Sequence, residues 1–236
     1  MIADSLRQVR ERIAQACQEA GRPLNTVSLL AVSKTFGPDA VRSAYGCGQA
    51  AFGENYIQEA VEKITTLADL PLLHSLPLEW HCIGPVQSNK TRLVATHFDW
   101  VHTVDRLKIA QRLSEQRPPG KAPLNVCIQV NIDGGPTKAG VPPQDVLALA
   151  QAVALLPHLR LRGLMTIPDP AINFVAACAV HARARALFDA LKAAGMSLDT
   201  LSMGMTGDLE AAVASGSTMV RIGSAIFGGR TRVQVQ

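Results

Sequence analysis

The hydrophobic positions of this chain alternate between two spacings. Leu6, Val9, Ile13 and Ala16 recur at helical intervals with charges between them, and predict an opening helix over residues 1–20 that Gly21 and Pro23 end. The next segment, 27–33, is a continuous apolar, β-branched run of strand length, the pattern of a strand covered on both faces. From there the alternation repeats. Strands are predicted over 49–53, 78–84, 100–104, 124–132, 161–167, 200–203 and 219–222. Helices are predicted over 38–46, 55–70, 88–96, 143–156, 174–194 and 208–215, with one more after Val104 that Asp105 is placed to cap. Pro38 suits a first helical turn, and Gly195 and Gly216 suit helix stops.

Eight strands alternating with helices predict an α/β fold with a parallel sheet, best closed as a (β/α)8 TIM barrel with an extra N-terminal helix. The alternative is a doubly wound open sheet. The Pro118-Pro119-Gly120 and Gly134-Gly135-Pro136 stretches read as loop punctuation rather than linkers, so the expectation is a single domain over 1–236.

Composition narrows the classes. With 47% hydrophobic and 18% charged residues, the chain has the profile of an ordinary soluble globular protein. A formal charge of +4, without basic runs interleaved with aromatics, gives no indication of a nucleic-acid partner. The five cysteines are scattered, odd in number and without a C-x-x-C pair, which fits reduced thiols. The first twenty residues mix Arg and Glu, unlike a signal peptide, and no run approaches the ~20 apolar residues of a membrane span. The six histidines lack metal-ligand spacing. Together these predict a cytoplasmic protein.

Active sites of such barrels sit at the carboxyl ends of the strands. Lys34 closes the first strand, where its amine either projects into the barrel mouth or reaches solvent or Glu54. A desolvated lysine near another cation makes a good Schiff-base amine. Gly223 and Ser224 follow the last strand and open a short helix, an arrangement suited to a phosphate, with Ser202 one strand over as a further donor; the alternative is a tight turn with a capping serine. A phosphate site plus a strand-end lysine points to Schiff-base chemistry with a substrate carbonyl or with pyridoxal 5′-phosphate (PLP). Arg221 shares the inward side with Met219 and Gly223. It either pairs with Glu210 or Asp208, or faces the pyridine nitrogen, where a donor-only group would leave the ring a weaker electron sink. The stretch from Asn131 to Gly135 reads as a turn, and Trp80-His81 as core packing with a satisfied imidazole, His81 on a cofactor face being the lesser alternative.

The segments LAVSKT (30–35), FGENYIQE (52–59), WHCIGPVQSNK (80–90), LMTIP (164–168) and LSMGMTGDLEAAVASGSTMVRIGSAIFGGR (201–230) resemble the pyridoxal phosphate homeostasis protein family, in order and over nearly the whole chain. The resemblance implies a fold-type III PLP-binding barrel similar to the alanine racemase barrel domain. It implies PLP bound covalently through Lys34, with Asn55 beside the ring and Arg221 at the ring nitrogen. Ser202, Gly223, Ser224 and the Met203 backbone are implied for the phosphate. Cys82 stands where the family often has an aromatic residue, Thr206-Gly207 replaces a more usual serine and polar residue, and the loop 133–138 differs from the commoner acidic version. The implied role is a carrier or regulator in intracellular PLP homeostasis, with PLP-dependent client enzymes as partners and no defined catalytic turnover.

The alternatives are a PLP-dependent amino-acid racemase and an aldolase-like enzyme whose Lys34 attacks a sugar-phosphate carbonyl. Two-base racemisation needs an acid/base group on each face of the substrate. Lys34 could serve one face, but the eight units use up the chain, only 231–236 remain, and the second group is not evident. The same lack of a second domain to share favours a monomer.

Overall fold

The structure, a computed structural model, describes residues 1–69, 76–135 and 138–229. Leu70 at the end of an expected helix, Pro136 and Thr137 of the 133–138 loop, Arg230 of the last family segment and residues 231–236 lie outside the described residues.

Eight parallel strands close into a barrel in sequence order: β1 Ser28–Val32, β2 Ala51–Glu54, β3 Glu79–Cys82, β4 Trp100–Val104, β5 Leu124–Val130, β6 Leu159–Thr166, β7 Thr200–Ser202 and β8 Met219–Ile222. β8 closes the ring onto β1 with Ser28 opposite Met219 and Leu30 opposite Arg221. Helices follow each strand: α2 Pro38–Gly46, α3 Ile57–Thr66, α4 Thr91–His97, α5 Leu107–Glu115, α6 Val146–Ala154, α7 Phe174–Ala193, α8 Leu209–Ala214 and the single turn α9 Ser224–Phe227. The extra helix, α1 Ile2–Glu19, buries Leu6, Val9, Ile13, Ala16 and Cys17 and packs on α8, α9 and α2. Arg12 of α1 pins it to Glu210 of α8 at 2.8 Å. No helix among the described residues is long and apolar enough to cross a membrane.

The expected closed barrel is therefore the one formed, and its element limits differ in instructive ways. β2 starts at Ala51 because the buried Gln49 side chain instead donates to Leu29 O and Ala51 O. β6 starts two residues early, at Leu159; exposed Arg160 and half-buried Arg162 alternate with its buried leucines and hide the strand from an apolar-run reading. The expected helix over 143–156 opens as a 3-10 turn, Pro143–Asp145. Asp105 does not cap α5. Arg106 takes the N-cap position, and the Asp105 carboxylate receives the Arg106 guanidinium at 3.1 Å.

The largest apolar cluster lies between the sheet and the helices. Inside the barrel the apolar side chains divide into two smaller groups, Leu30, Val32, Ile83 and Met219 on one side and Trp100, Cys127 and Met165 on the other. The interior also carries His81, His102, Ser202 and Arg221, all buried. A polar seam inside a barrel persists only where each group is paired, and these groups are.

Candidate functional site

At the carboxyl ends of the strands lies an opening of about 380 Å³, lined by Lys34, Asn55, Thr206, Arg221, Gly223 and Ser224 together with apolar Val32, Phe36, Ile83, Ile167 and Met205. That size and mixture suit a small ligand with a ring and a few polar groups.

Lys34 sits two residues beyond β1, half-buried. The turn that follows it is held by an ionic network beneath. Thr35 has φ of 68°, the one positive φ among the described non-glycine residues, and its N–H donates to Glu59 Oε1 at 2.7 Å. Lys63, 3% exposed, donates to Glu54 Oε1 at 2.5 Å, to Ser33 O at 3.0 Å and to Glu59 Oε1 at 3.3 Å. Ser33 Oγ completes the set on Glu54 at 2.6 Å. Glu54 thus takes Lys63 and Ser33 as partners. Burial pushes its carboxyl above the usual range, against the pull of Lys63 and Ser33. An α-region-disfavoured turn persists where its surroundings over-determine it, and this network does so directly beside Lys34.

Asn55 follows β2. Its Oδ1 is buried and has no hydrogen-bond partner, an arrangement that costs free energy unless a ligand completes it. The backbone of Asn55 lies against Gly84: a Cβ at Gly84 would stand 2.1 Å from Asn55 O. Only glycine permits this approach. Gly84 O in turn accepts from Thr103 Oγ1 at 2.7 Å, which ties the β3 loop to β4.

Arg221 enters the opening from β8 and is buried. Its partners are neutral: Nη1 donates to Ser202 Oγ at 2.8 Å and Nη2 to Thr166 O at 2.8 Å. Burial lowers its pKa to about 10, with Asp208 and Cys127 pulling the other way. The carboxylates weighed as partners are engaged elsewhere, Glu210 with Arg12 and Asp208 with His181 at 2.9 Å. His81 has both ring nitrogens partnered, Nε2 with Glu79 Oε1 at 2.7 Å and Nδ1 with His102 Nε2 at 2.9 Å; His102 Nδ1 meets Ser202 Oγ at 3.0 Å.

The loop after β7 brings Thr206 Oγ1 to 3.4 Å from Ser224 Oγ. Gly223 occupies the N-cap of α9 and packs so closely on β1 that a Cβ there would lie 3.1 Å from Val32 O. Of the residues singled out from sequence, Lys34, Asn55, Arg221, Gly223 and Ser224 share this opening. Ser202 and Met203 are fully buried and outside its lining. Ser202 Oγ is committed to Arg221 and His102, and the Met203 N–H donates to Met219 O at 3.1 Å. The strand-seven contribution comes instead from Met205, Thr206 and Gly207, because Gly204, with φ of 96°, turns the chain back over the mouth. Phe36, Ile83 and Ile167 are further lining residues that the strand-end inventory missed; Ile83 and Ile167 lie one residue past β3 and β6, and Phe36 four past β1.

Comparison with known proteins agrees with this architecture. The sequence profile described as alanine racemase, N-terminal domain, matches residues 5–231. The chain is 58% identical to the pyridoxal phosphate homeostasis protein of Pseudomonas aeruginosa over 229 residues, 97% of this chain and 96% of the relative. It is 52% identical to the protein of the same name from Escherichia coli K12, with 97% of each covered. Among solved structures it is similar to PipY of Synechococcus elongatus PCC7942 with PLP bound, at a TM-score of 0.83 and 37% identity, covering 97% of this chain and all of that one. Alanine racemase of Corynebacterium glutamicum shares the fold at 19% identity and a TM-score of 0.64, covering 97% of this chain and 62% of that one.

Proposed function

Because the chain belongs to the alanine racemase N-terminal domain family, and within it to the pyridoxal phosphate homeostasis proteins, we propose that its barrel mouth binds PLP and serves intracellular PLP balance in the cytoplasm. The observation that carries this reading is the convergence of a lysine, a buried arginine and a hydroxyl pair on one opening of about 380 Å³. The orphaned Asn55 Oδ1 beside them fits a bound group that offers a hydrogen-bond donor.

In this reading Lys34 holds the cofactor covalently through its amine, and the Thr35–Glu59–Lys63–Glu54 network keeps that amine aimed at the mouth. Asn55 flanks the ring. Thr206, Gly223 and Ser224 hold the phosphate, a revision of the expected set in which the Thr206 and Gly207 region takes the place of Ser202 and Met203. Arg221 faces the ring nitrogen. When bound, PLP supplies an aldehyde for amines and a ring able to withdraw electrons. Arginine only donates hydrogen bonds and keeps its proton at pH 7 even with its pKa lowered to about 10, so it leaves a ring nitrogen unprotonated and the electron sink weak. That property favours holding and handing on PLP, as a monomer supplying PLP-dependent enzymes, over turnover.

The test is a visible spectrum of the purified protein with added PLP. A yellow absorption band, abolished by Lys34→Ala and displaced by borohydride, is expected. Protein that stays colourless with PLP present removes the proposal. Incubation of amino acids with the loaded protein in deuterated water addresses turnover: sustained α-hydrogen exchange with inversion would establish a racemase instead.

A further inference from the structure

A single file of hydrogen bonds crosses the inside of the barrel. It begins at Glu79, the first residue of β3, whose side chain is 46% exposed, and ends at Arg221 in the opening. Between them stand His81, His102 and Ser202, all 0% exposed and contributed by β3, β4 and β7. The four contacts measure 2.7, 2.9, 3.0 and 2.8 Å. Glu79 lines a cleft with Asn25, Thr26, Asp199 and Thr218, at the strand-entry end, away from the opening that Arg221 lines.

The chemistry of the two ends sets the direction of every bond. Arginine only donates, so Ser202 Oγ accepts from Arg221. An ionised carboxylate only accepts, so His81 donates to it from Nε2, and a ring holding that one proton leaves Nδ1 bare. The neutral His102 must then donate from Nε2 to His81 and accept at Nδ1 from the Ser202 hydroxyl. Each donor therefore points from Arg221 toward Glu79, and the Ser202 hydroxyl both accepts from Arg221 and donates to His102. Burial opposes ionisation of Glu79, but the hydrogen bond from His81 holds its carboxyl below the usual range. Burial first, with the nearby Arg221 charge, holds His102 well below the usual histidine range and so neutral. Trp100 stacks on the His81 ring at 5.1 Å and fixes its plane, with the Arg162 guanidinium 4.5 Å above the indole.

We propose that Glu79, His81, His102 and Ser202 are positioning residues for Arg221: the file keeps the Ser202 lone pair turned to the guanidinium and couples the cofactor side of the barrel to a half-exposed carboxylate at its other end. The consequence for the cofactor rests on the PLP reading above. The bond pattern itself does not.

Two measurements separate these. In the ligand-free protein, nitrogen-15 NMR of labelled histidines is expected to place the proton of both His81 and His102 on Nε2 at neutral pH. A proton on His102 Nδ1 overturns the proposal. In the PLP-loaded protein, Glu79→Gln is expected to displace the absorption maximum and weaken binding about threefold, while Asp199→Asn, which removes a charge from the same cleft without touching the file, leaves both as in the wild type. Ser202→Ala is expected to weaken PLP and unphosphorylated pyridoxal alike, about tenfold, as for one lost charged hydrogen bond, with recovery in Ser202→Thr. A Glu79→Gln spectrum identical to wild type, or a Ser202→Ala loss confined to PLP, overturns the coupling. Wild-type protein that takes up no PLP dismisses the cofactor reading alone, and the histidine tautomers then decide the file.

Discussion

Glu59 Oε1 accepts the backbone N–H of Thr35 at 2.7 Å, so a helix two elements away fixes the residue after Lys34 in a left-handed conformation. Glu59→Ala removes that acceptor and one contact of Lys63. It is expected to weaken PLP binding by about tenfold while lowering stability by only about 1 kcal/mol. A fluorescence titration with PLP and a urea unfolding curve would separate the two effects; equal losses in both would mean that the turn matters only to the fold.

The Glu54–Lys63 pair lies almost fully buried beneath the same turn. Leaving either charge alone in the core is costly, so Lys63→Met and Glu54→Leu are each expected to destabilise by about 3–5 kcal/mol, and the double variant by clearly less than their sum. A double-mutant cycle in urea reads this directly. Additive losses would contradict the pairing.

Gly84→Ala would drive a methyl group into the Asn55 carbonyl, 2.1 Å away, where neither backbone can move freely. Displacement of Asn55 should reduce PLP binding at least about tenfold and cost ~2 kcal/mol or more of stability. Calorimetric titration alongside thermal unfolding provides the check, and a variant with wild-type affinity would show that Asn55 does not need this position.

The Thr206–Ser224 hydroxyl pair makes a prediction about which part of the ligand it touches. Thr206→Ala and Ser224→Ala should each weaken PLP binding by about tenfold and leave unphosphorylated pyridoxal unaffected, whereas Thr206→Ser should bind PLP as the wild type does. Parallel titrations with the two ligands decide it.

His102 makes stability fall with acid. Burial holds its folded pKa well below the ordinary value, so below about pH 6.5 the unfolded chain takes up a proton that the folded chain refuses. The unfolded state then binds more protons, and stability rises with pH: from pH 6.5 downward, this group alone should remove up to about 1.4 kcal/mol per pH unit. Glu79, Asp199 and Asp208, held below the carboxylate range, add their own losses only under more acidic conditions, as pH falls through their folded values. Urea unfolding between pH 7 and 5 should show a slope that flattens in His102→Gln. An equal slope in that variant would assign the loss to other groups.

The alternation of apolar runs and helical stripes, repeated eight times, was enough by itself to predict a parallel sheet under helices, because strands covered on both faces need that cover; closure, rather than an open doubly wound sheet, was decided by the pairing of β8 with β1. Lys34, Asn55, Arg221, Gly223 and Ser224 were legible for the same reason: they follow or end strands, and strand ends meet at one rim. What the tertiary structure decided is the work of residues whose partners lie on other strands. Ser202 read as a phosphate donor because it ends β7, yet strand parity turns it inward beneath Arg221 and beside His102, a hundred residues earlier. His102 itself gave no local signal, since its role depends on which inward positions of β3, β7 and β8 share its level in the barrel. Glu54 and Lys63 stand nine residues apart on a strand and a helix, and only the packing of α3 against the sheet removes water from both and ties them to the turn of Lys34. Periodicity encodes which way each side chain faces; the closing register of the strands sets which ones meet.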